Sequence, residues 1–243
     1  MELNKIYNED CLERMKKIDD NSIDLIVTDP PYKVTPKGSC GTTGGMLKAK
    51  ITRQGKVFKY NNINIEDYIN EFYRILKEDT HCYIMTNNYN LHHFLNVIKD
   101  SKLKLIKPLI WKKNNVLPNQ WYMDCYEYIL LLRKGKAKKI NNCGTKSILE
   151  INNVRNKSHP TEKPLDLMKI LIDNSSEGND VIFDPFAGSG STLVASKELG
   201  RMYIGCEIDK EYYYKILKRI GKFDKTYYEE LPKEERPAQQ QLF

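Results

Sequence analysis

Four apolar runs constrain the fold of this chain more than any other feature. SIDLIVTDPPY, HCYIMTN, NDVIFDPFAGSG and RMYIGCEID each carry consecutive Ile, Leu, Val, Phe, Tyr or Met residues and then stop at Pro, Gly, Asn or acidic residues. Uninterrupted runs of that length mark strands covered on both faces. The segments between them have helical spacing. Tyr68, Ile69, Phe72, Ile75 and Leu76 recur after Ile65, and LHHFLNVIKDS, PLDLMKILIDNSS, STLVASKELG and KEYYYKILKRIG follow. Thr161 stands where it could cap the helix over PLDLMKILIDNSS, Pro164 lies near its first turn, and Gly200 closes STLVASKELG. A short strand in NKIYNED leads into a helix over Cys11 to Lys17. KLKLIKPLIWKK and CYEYILLLRKGK are two strands with only the stretch 114 to 124 between them, which predicts an antiparallel pair at one sheet edge. The alternation predicts an α/β fold: a doubly wound, mostly parallel sheet with an antiparallel edge strand and helices on both faces. Ligands of such sheets lie at the carboxyl ends of the strands, where strand order reverses. DPPY and FAGSG both stand at such ends.

At 243 residues the chain fills one domain, expected over residues 1 to 221 with insertions near 33–60 and 112–158, followed by a flexible tail over 222–243. No apolar run approaches a membrane span, and the start MELNKIYNED has no signal-peptide pattern, so a soluble cytoplasmic protein is expected. The six cysteines are widely spaced, with no CxxC pair, and predict neither disulfide nor metal. Trp111, Trp121 and His81 are assigned to the core, and His92 and His93 are given no role. The formal net charge is +7, and residues 33–60 hold Lys33, Lys37, Lys48, Lys50, Arg53, Lys56 and Lys59 with no acid, a charge equal to the whole excess. A solvated loop and a polyanion-binding loop are both open readings, and the absence of acids favours the second.

Two constellations carry chemistry. In DPFAGSGST, Gly188 and Gly190 let a ligand approach the backbone at the start of a helix, or else make a tight turn for packing. The turn lacks the full GxGxxG of a dinucleotide site and the GK[ST] of a P-loop. About twenty residues on, Glu207 ends a strand where an acid accepts from ribose hydroxyls; alternatively Glu207 and Asp209 cap the last helix. In DPPY, proline removes backbone donors, so the Asp29 carboxylate and Pro30 carbonyl are left as acceptors beside the flat face of Tyr32. An amino group on an extruded base fits those acceptors, although a proline-terminated strand with a structural tyrosine gives the same pattern.

DPPY, HPTEKP and FAGSG together, with DPPY first and FAGSG last, resemble the β group of amino-DNA methyltransferases, over nearly all of residues 1 to about 220. The resemblance implies a Rossmann-like sheet in circularly permuted order and S-adenosylmethionine as methyl donor, with S-adenosylhomocysteine as product. It implies a catalytic group of Asp29, Pro30, Pro31 and Tyr32. Asp10 would meet the adenine side of the cofactor with Cys11 beside it, although the chain departs from the common pattern at Asn8 to Asp10. Asp29, Asp184, Phe186, Ala187, Gly188, Ser189, Gly190, Thr192 and Ile208 would line the pocket. Glu207 would hold the ribose, and Lys163 would lie near the methionine carboxylate. Asp before PPY leans toward N6 of adenine; cytosine N4, RNA or a protein amide are the other acceptors.

Double-stranded DNA is the expected partner, contacted by Lys37, Lys48, Lys50, Arg53 and Lys56 and by the segment 112 to 158. A restriction endonuclease partner, a homodimer and a nucleoid-associated location accompany that reading. Gln239, Leu242 and Phe243 resemble the QxxLF pattern of peptides that bind the bacterial sliding clamp. A DNA-binding protein that keeps the fold without turnover is the alternative from another class, disfavoured because every expected site residue is present.

Overall fold

The computed structural model describes residues 1–31, 63–117, 122–136, 138–154 and 162–222, with 229, 232 and 234. Tyr32, Trp121, Thr161, the basic stretch with Lys37, Lys48, Lys50, Arg53 and Lys56, and the tail residues Gln239, Leu242 and Phe243 lie outside the described residues.

The described elements are β1 (Lys5–Tyr7), α1 (Cys11–Met15), β2 (Ile23–Thr28), α2 (Ile65–Ile75), β3 (Leu76–Thr86), α3 (Leu91–Asp100) and β4 (Lys104–Leu117). They continue with β5 (Asp124–Arg133), β6 (Ile148–Glu150), α4 (Leu165–Ser175), β7 (Val181–Asp184), α5 (Ser191–Glu198), β8 (Met202–Cys206) and α6 (Lys210–Arg219). Among the described residues the eight strands form one sheet in the order β1-β8-β7-β2-β3-β5-β4-β6. β1, β8, β7, β2 and β3 are mutually parallel. β5 runs antiparallel to both β3 and β4, and β6 is parallel to β4.

Period-two alternation explains the apolar runs. Ile26, Cys82, Ile84, Leu130 and Leu132 enter one core with Ile65, Tyr68, Ile69 and Phe72 of α2. Their strand neighbours Leu25, Val27, Tyr83, Met85, Ile129 and Leu131 enter a second core on the opposite face, with Leu167, Met168, Leu171 and Ile172 of α4. Both faces are covered, so these strands have no polar side to show in sequence. The antiparallel pair, expected at one sheet edge, lies toward one end of the sheet, but the reversed strand β5 is not its last strand. With its ILLL run it takes the two-sided position between β3 and β4, and β4 and β6 lie beyond it.

Three local features differ from the sequence reading. α1 ends at Met15 rather than Lys17, because the chain tightens into three-residue bonds, Lys17 N to Arg14 O at 2.9 Å and Ile18 N to Met15 O at 2.9 Å. α4 starts at Leu165 with Pro164 at its N-cap position and no side-chain cap bond, so Thr161 is three residues too early to cap it. β6 falls inside the expected insertion 112–158; only Leu149 of its three residues is buried, too little for a periodicity to register. Trp111 and His81 are both 2% exposed, as expected of core residues. The Trp111 indole donates to Ile151 O at 2.8 Å.

Candidate active site

β2 and β7 are hydrogen-bonded neighbours from which the chain proceeds in opposite directions, β2 to β3 on one side and β7 to β8 on the other. The crevice of a doubly wound sheet forms at such a reversal. The last residue of β2, Thr28, donates its hydroxyl to Oδ1 of Asp184, the last residue of β7, at 2.8 Å, and Phe186 N donates to the same oxygen at 3.1 Å. Sequence-distant motifs therefore meet in one place. A cavity of about 540 Å³ opens there, lined from both sides.

One wall comes from the carboxyl ends of β1, β7 and β8. Asp10 is the N-cap of α1 and accepts from Leu12 N at 2.7 Å, with Cys11 following it. Gly188 has φ of 53° and Gly190 φ of 77°, a left-handed backbone that glycine adopts without strain. Glu207 follows β8, and its two carboxylate oxygens accept from Gly188 N and Asp209 N, each at 2.8 Å. Burial pushes the carboxyl of Glu207 up to about 7 and that of Asp184 up to about 6. Burial also pushes the Cys11 thiol up to about 12, so Cys11 is a neutral, apolar part of the wall rather than a nucleophile.

The opposite wall is ionic. Lys163, 6% exposed, pairs with Asp29 Oδ2 and lies 3.5 Å from Glu127 Oε2. Glu127 Oε1 pairs in turn with Lys113. Burial alone would raise the Glu127 carboxyl, but Lys163 and Lys113 outweigh it and hold it below its ordinary value. Burial likewise opposes the charge on Lys163, and Asp29 and Glu127 outweigh it and hold the ammonium above its ordinary value. Removing one member of a buried pair costs about 3–5 kcal/mol because the other is left uncompensated, so these charges stand or fall together. The backbone carrying Lys163 is pinned from the second half of the chain. Ser191 Oγ donates to Lys163 O at 2.8 Å, and Arg219 pairs with Glu162 at 3.0 Å while donating to Ser189 O at 2.9 Å.

A DNA methylase family model, that of the N6/N4 methyltransferases, matches residues 23–219. The chain belongs to this family. Membership places it among the amino-DNA methyltransferases, whose acceptor is N6 of adenine or N4 of cytosine. The type II methyltransferase M.HinfI of Haemophilus influenzae is 29% identical over 86% of this chain, which spans 66% of that relative's length. M2.MboI of Moraxella bovis is 28% identical, covering 85% of this chain and 84% of its own. The solved complex of M1.HpyAVI with SAM superposes with a TM-score of 0.67 at 25% identity, over 88% of this chain and 98% of that one. The cytosine-N4-specific PvuII DNA methyltransferase shares the fold, with a TM-score of 0.70 at 18% identity over 91% of this chain and 86% of that one.

The methylase cavity brings together most residues singled out in sequence. Asp10, Cys11, Asp29, Pro30, Pro31 and Lys163 line it, as do Asp184, Phe186, Ala187, Gly188, Ser189, Thr192, Glu207 and Ile208. Gly190 does not. A Cβ there would meet Ile216 Cγ2 at 2.8 Å, so this glycine serves the packing of α6 against the turn. Both acids after β8 line the cavity, and Asp209 is also the cap of α6, accepting from Glu211 N at 2.9 Å. Lys163, expected near a carboxylate of the cofactor, is held against Asp29 and Glu127.

Sequence reasoning missed Glu127 and Lys113, along with Asn87, Asn88, Asp124 and Tyr126 on the cavity rim, where Asn88 Nδ2 donates to Asp124 Oδ1 at 2.8 Å. The signal for Glu127 was present: it is an acid inside CYEYILLLR, two residues from Ile129 on the same strand face.

Proposed function

We propose that this methylase transfers a methyl group from S-adenosylmethionine to N6 of adenine in a base extruded from duplex DNA. The observation that carries the reading is one cavity lined both by the end of DPP and by the glycine turn after β7, in a chain of the N6/N4 family. The residues fit an adenosyl cofactor. The cavity volume is in the range that encloses small ligands, Cys11, Phe186 and Ile208 offer apolar surface, and the Glu207 carboxylate stands at the end of β8, where ribose hydroxyls are held in such folds. S-adenosylmethionine, when bound, supplies a methyl group already activated by its sulfonium.

The chain's own work is orientation. The lone pair of an exocyclic amine is delocalised into the ring, and accepting its N–H bonds at Asp29 and the Pro30 carbonyl turns it toward the donor. Asp29 acts as a fixed acceptor rather than a strong base, because the ammonium of Lys163 beside it favours the carboxylate. The amine proton becomes acidic only as the methyl arrives, so a weak acceptor suffices. Asp at the first position of DPPY supports adenine over cytosine; the family resemblance links Ser there to N4. Nucleoside analysis of DNA methylated by the purified protein tests the choice. N6-methyldeoxyadenosine is expected, and N4-methyldeoxycytidine as the product would reassign the acceptor.

A further inference from the structure

Four charges of the acceptor wall form a chain. Lys113 on β4 pairs with Glu127 Oε1 on β5, Glu127 Oε2 lies 3.5 Å from Lys163 Nζ, and the same ammonium pairs with Asp29 Oδ2 after β2. Two cations and two anions alternate, so the group is neutral as a whole although each side chain is largely removed from water. Asp29 and Lys163 belong to DPPY and HPTEKP. Glu127 and Lys113 belong to no motif; they come from the antiparallel pair β4–β5.

The backbone of Lys163 is fixed by Ser191, but its ammonium ends a flexible four-carbon stem. With Asp29 as its only anion, that stem would be free to swing and carry the carboxylate with it. A second carboxylate 3.5 Å away, on a strand paired along both sides, draws the ammonium toward one position. We infer that Glu127 is a positioning residue for methyl transfer: from β5 it holds Lys163 Nζ, and through Lys163 it fixes the direction of the Asp29 carboxylate toward the acceptor amine. Lys113 balances the charge of Glu127 and completes the chain. The inference rests on the reading of Asp29 as the acceptor-binding carboxylate.

Methyl transfer from radiolabelled S-adenosylmethionine to unmethylated duplex genomic DNA tests it in a mutant cycle. Glu127→Gln keeps the side-chain shape. It should lower kcat by about ten- to a hundredfold while KM for DNA and the cofactor Kd stay within about threefold. Adding it to Lys163→Met should cost little beyond Lys163→Met alone, because the two act as one unit. Should Glu127→Gln fail to fold, Lys113→Met takes its place in the cycle, with a smaller loss in kcat and the same lack of additivity. Asp29→Ala is the control for the parent reading: if it turns over normally, that reading fails and the inference with it. An inactive Asp29→Ala protein beside a Glu127→Gln protein of wild-type kcat overturns the inference alone. So do losses that add in the double variant, or a parallel loss of cofactor affinity.

Discussion

The two walls of the cavity use the same residue types in opposite ways. On the wall at the ends of β7 and β8, Asp184 is buried and Glu207 largely so, and both are hydrogen-bonded by neutral groups, two backbone amides for Glu207 and Thr28 with Phe186 N for Asp184. Neutral donors do not offset the loss of water, and both carboxyls are pushed up, to about 7 and about 6. On the Asp29 wall, Glu127 is also largely withdrawn from water, yet Lys163 and Lys113 keep it ionised. The partners decide the outcome, not the depth of burial. A carboxyl that titrates near neutrality suits exchange of hydrogen bonds with ribose hydroxyls. A carboxylate locked to an ammonium suits an amine that must be held without losing its proton early.

The contrast yields predictions of decreasing size. Asp29→Ala should lower kcat by about a thousandfold or more, with cofactor affinity within several-fold, since it removes the acceptor for the amine and none of the cofactor wall. Quench assays paired with cofactor titration measure both quantities, and a well-folded variant with near-normal turnover would dissolve the division between the walls. Gly188→Val acts on the other side. A β-branched residue at φ of 53° is strained and projects side chain where backbone approach is expected, so cofactor affinity should fall by about a hundredfold with a lower Tm. Calorimetric titration checks this, and an unchanged Kd would move the pocket.

Acidity separates the walls more gently. Glu207 is raised by burial first, with Asp209 and Asp184 adding like charge, so the folded protein leaves it largely protonated below about 7 and ionised above. If the carboxylate is the form that accepts from ribose hydroxyls, cofactor affinity should rise by about tenfold from pH 6 to pH 8. Glu207→Gln should flatten that rise while weakening binding at pH 8; a rise of the same size in the variant would assign the titration elsewhere. The same shift affects stability in the opposite sense. A carboxyl with a raised folded pKa stabilises the fold below its ordinary value near 4.5, and that contribution is lost as pH rises toward 7. Smallest is the effect of the basic stretch. Replacing Lys48, Lys50, Arg53 and Lys56 by Ala should reduce the salt slope of DNA binding by about 0.9 for each lost phosphate contact and leave cofactor affinity alone. Identical slopes in parent and variant would assign these charges to solvent.

The fold was legible because its signals are local. Apolar runs that stop at DPP, at DPFAGS and at CEID announced the parallel strands, and Gly200, with φ of 71°, closes its helix as its position suggested. The wall at the ends of β1, β7 and β8 was legible for the same reason: its residues sit in three short turns. The acceptor wall was not. Its chain of charges joins β2, β4, β5 and the segment before α4, and no spacing in sequence records which lysine meets which acid. Glu127 stood out only as an acid within an apolar strand, and Lys113 not at all. The inner position of β5 was hidden too, since two adjacent strands look alike whether the second closes an edge or turns back into the sheet.

The central claim is that one cavity holds a methyl donor on the Glu207 wall and an amine on the Asp29 wall. Transfer of a labelled methyl group from S-adenosylmethionine to unmethylated genomic DNA, run side by side for the parent protein and Asp29→Ala, tests it most directly. The account predicts label in the exocyclic amine of a base with the parent, and none above background with a variant that still binds the cofactor. Absence of transfer by the folded parent across varied DNA, or equal transfer by both proteins, would contradict it.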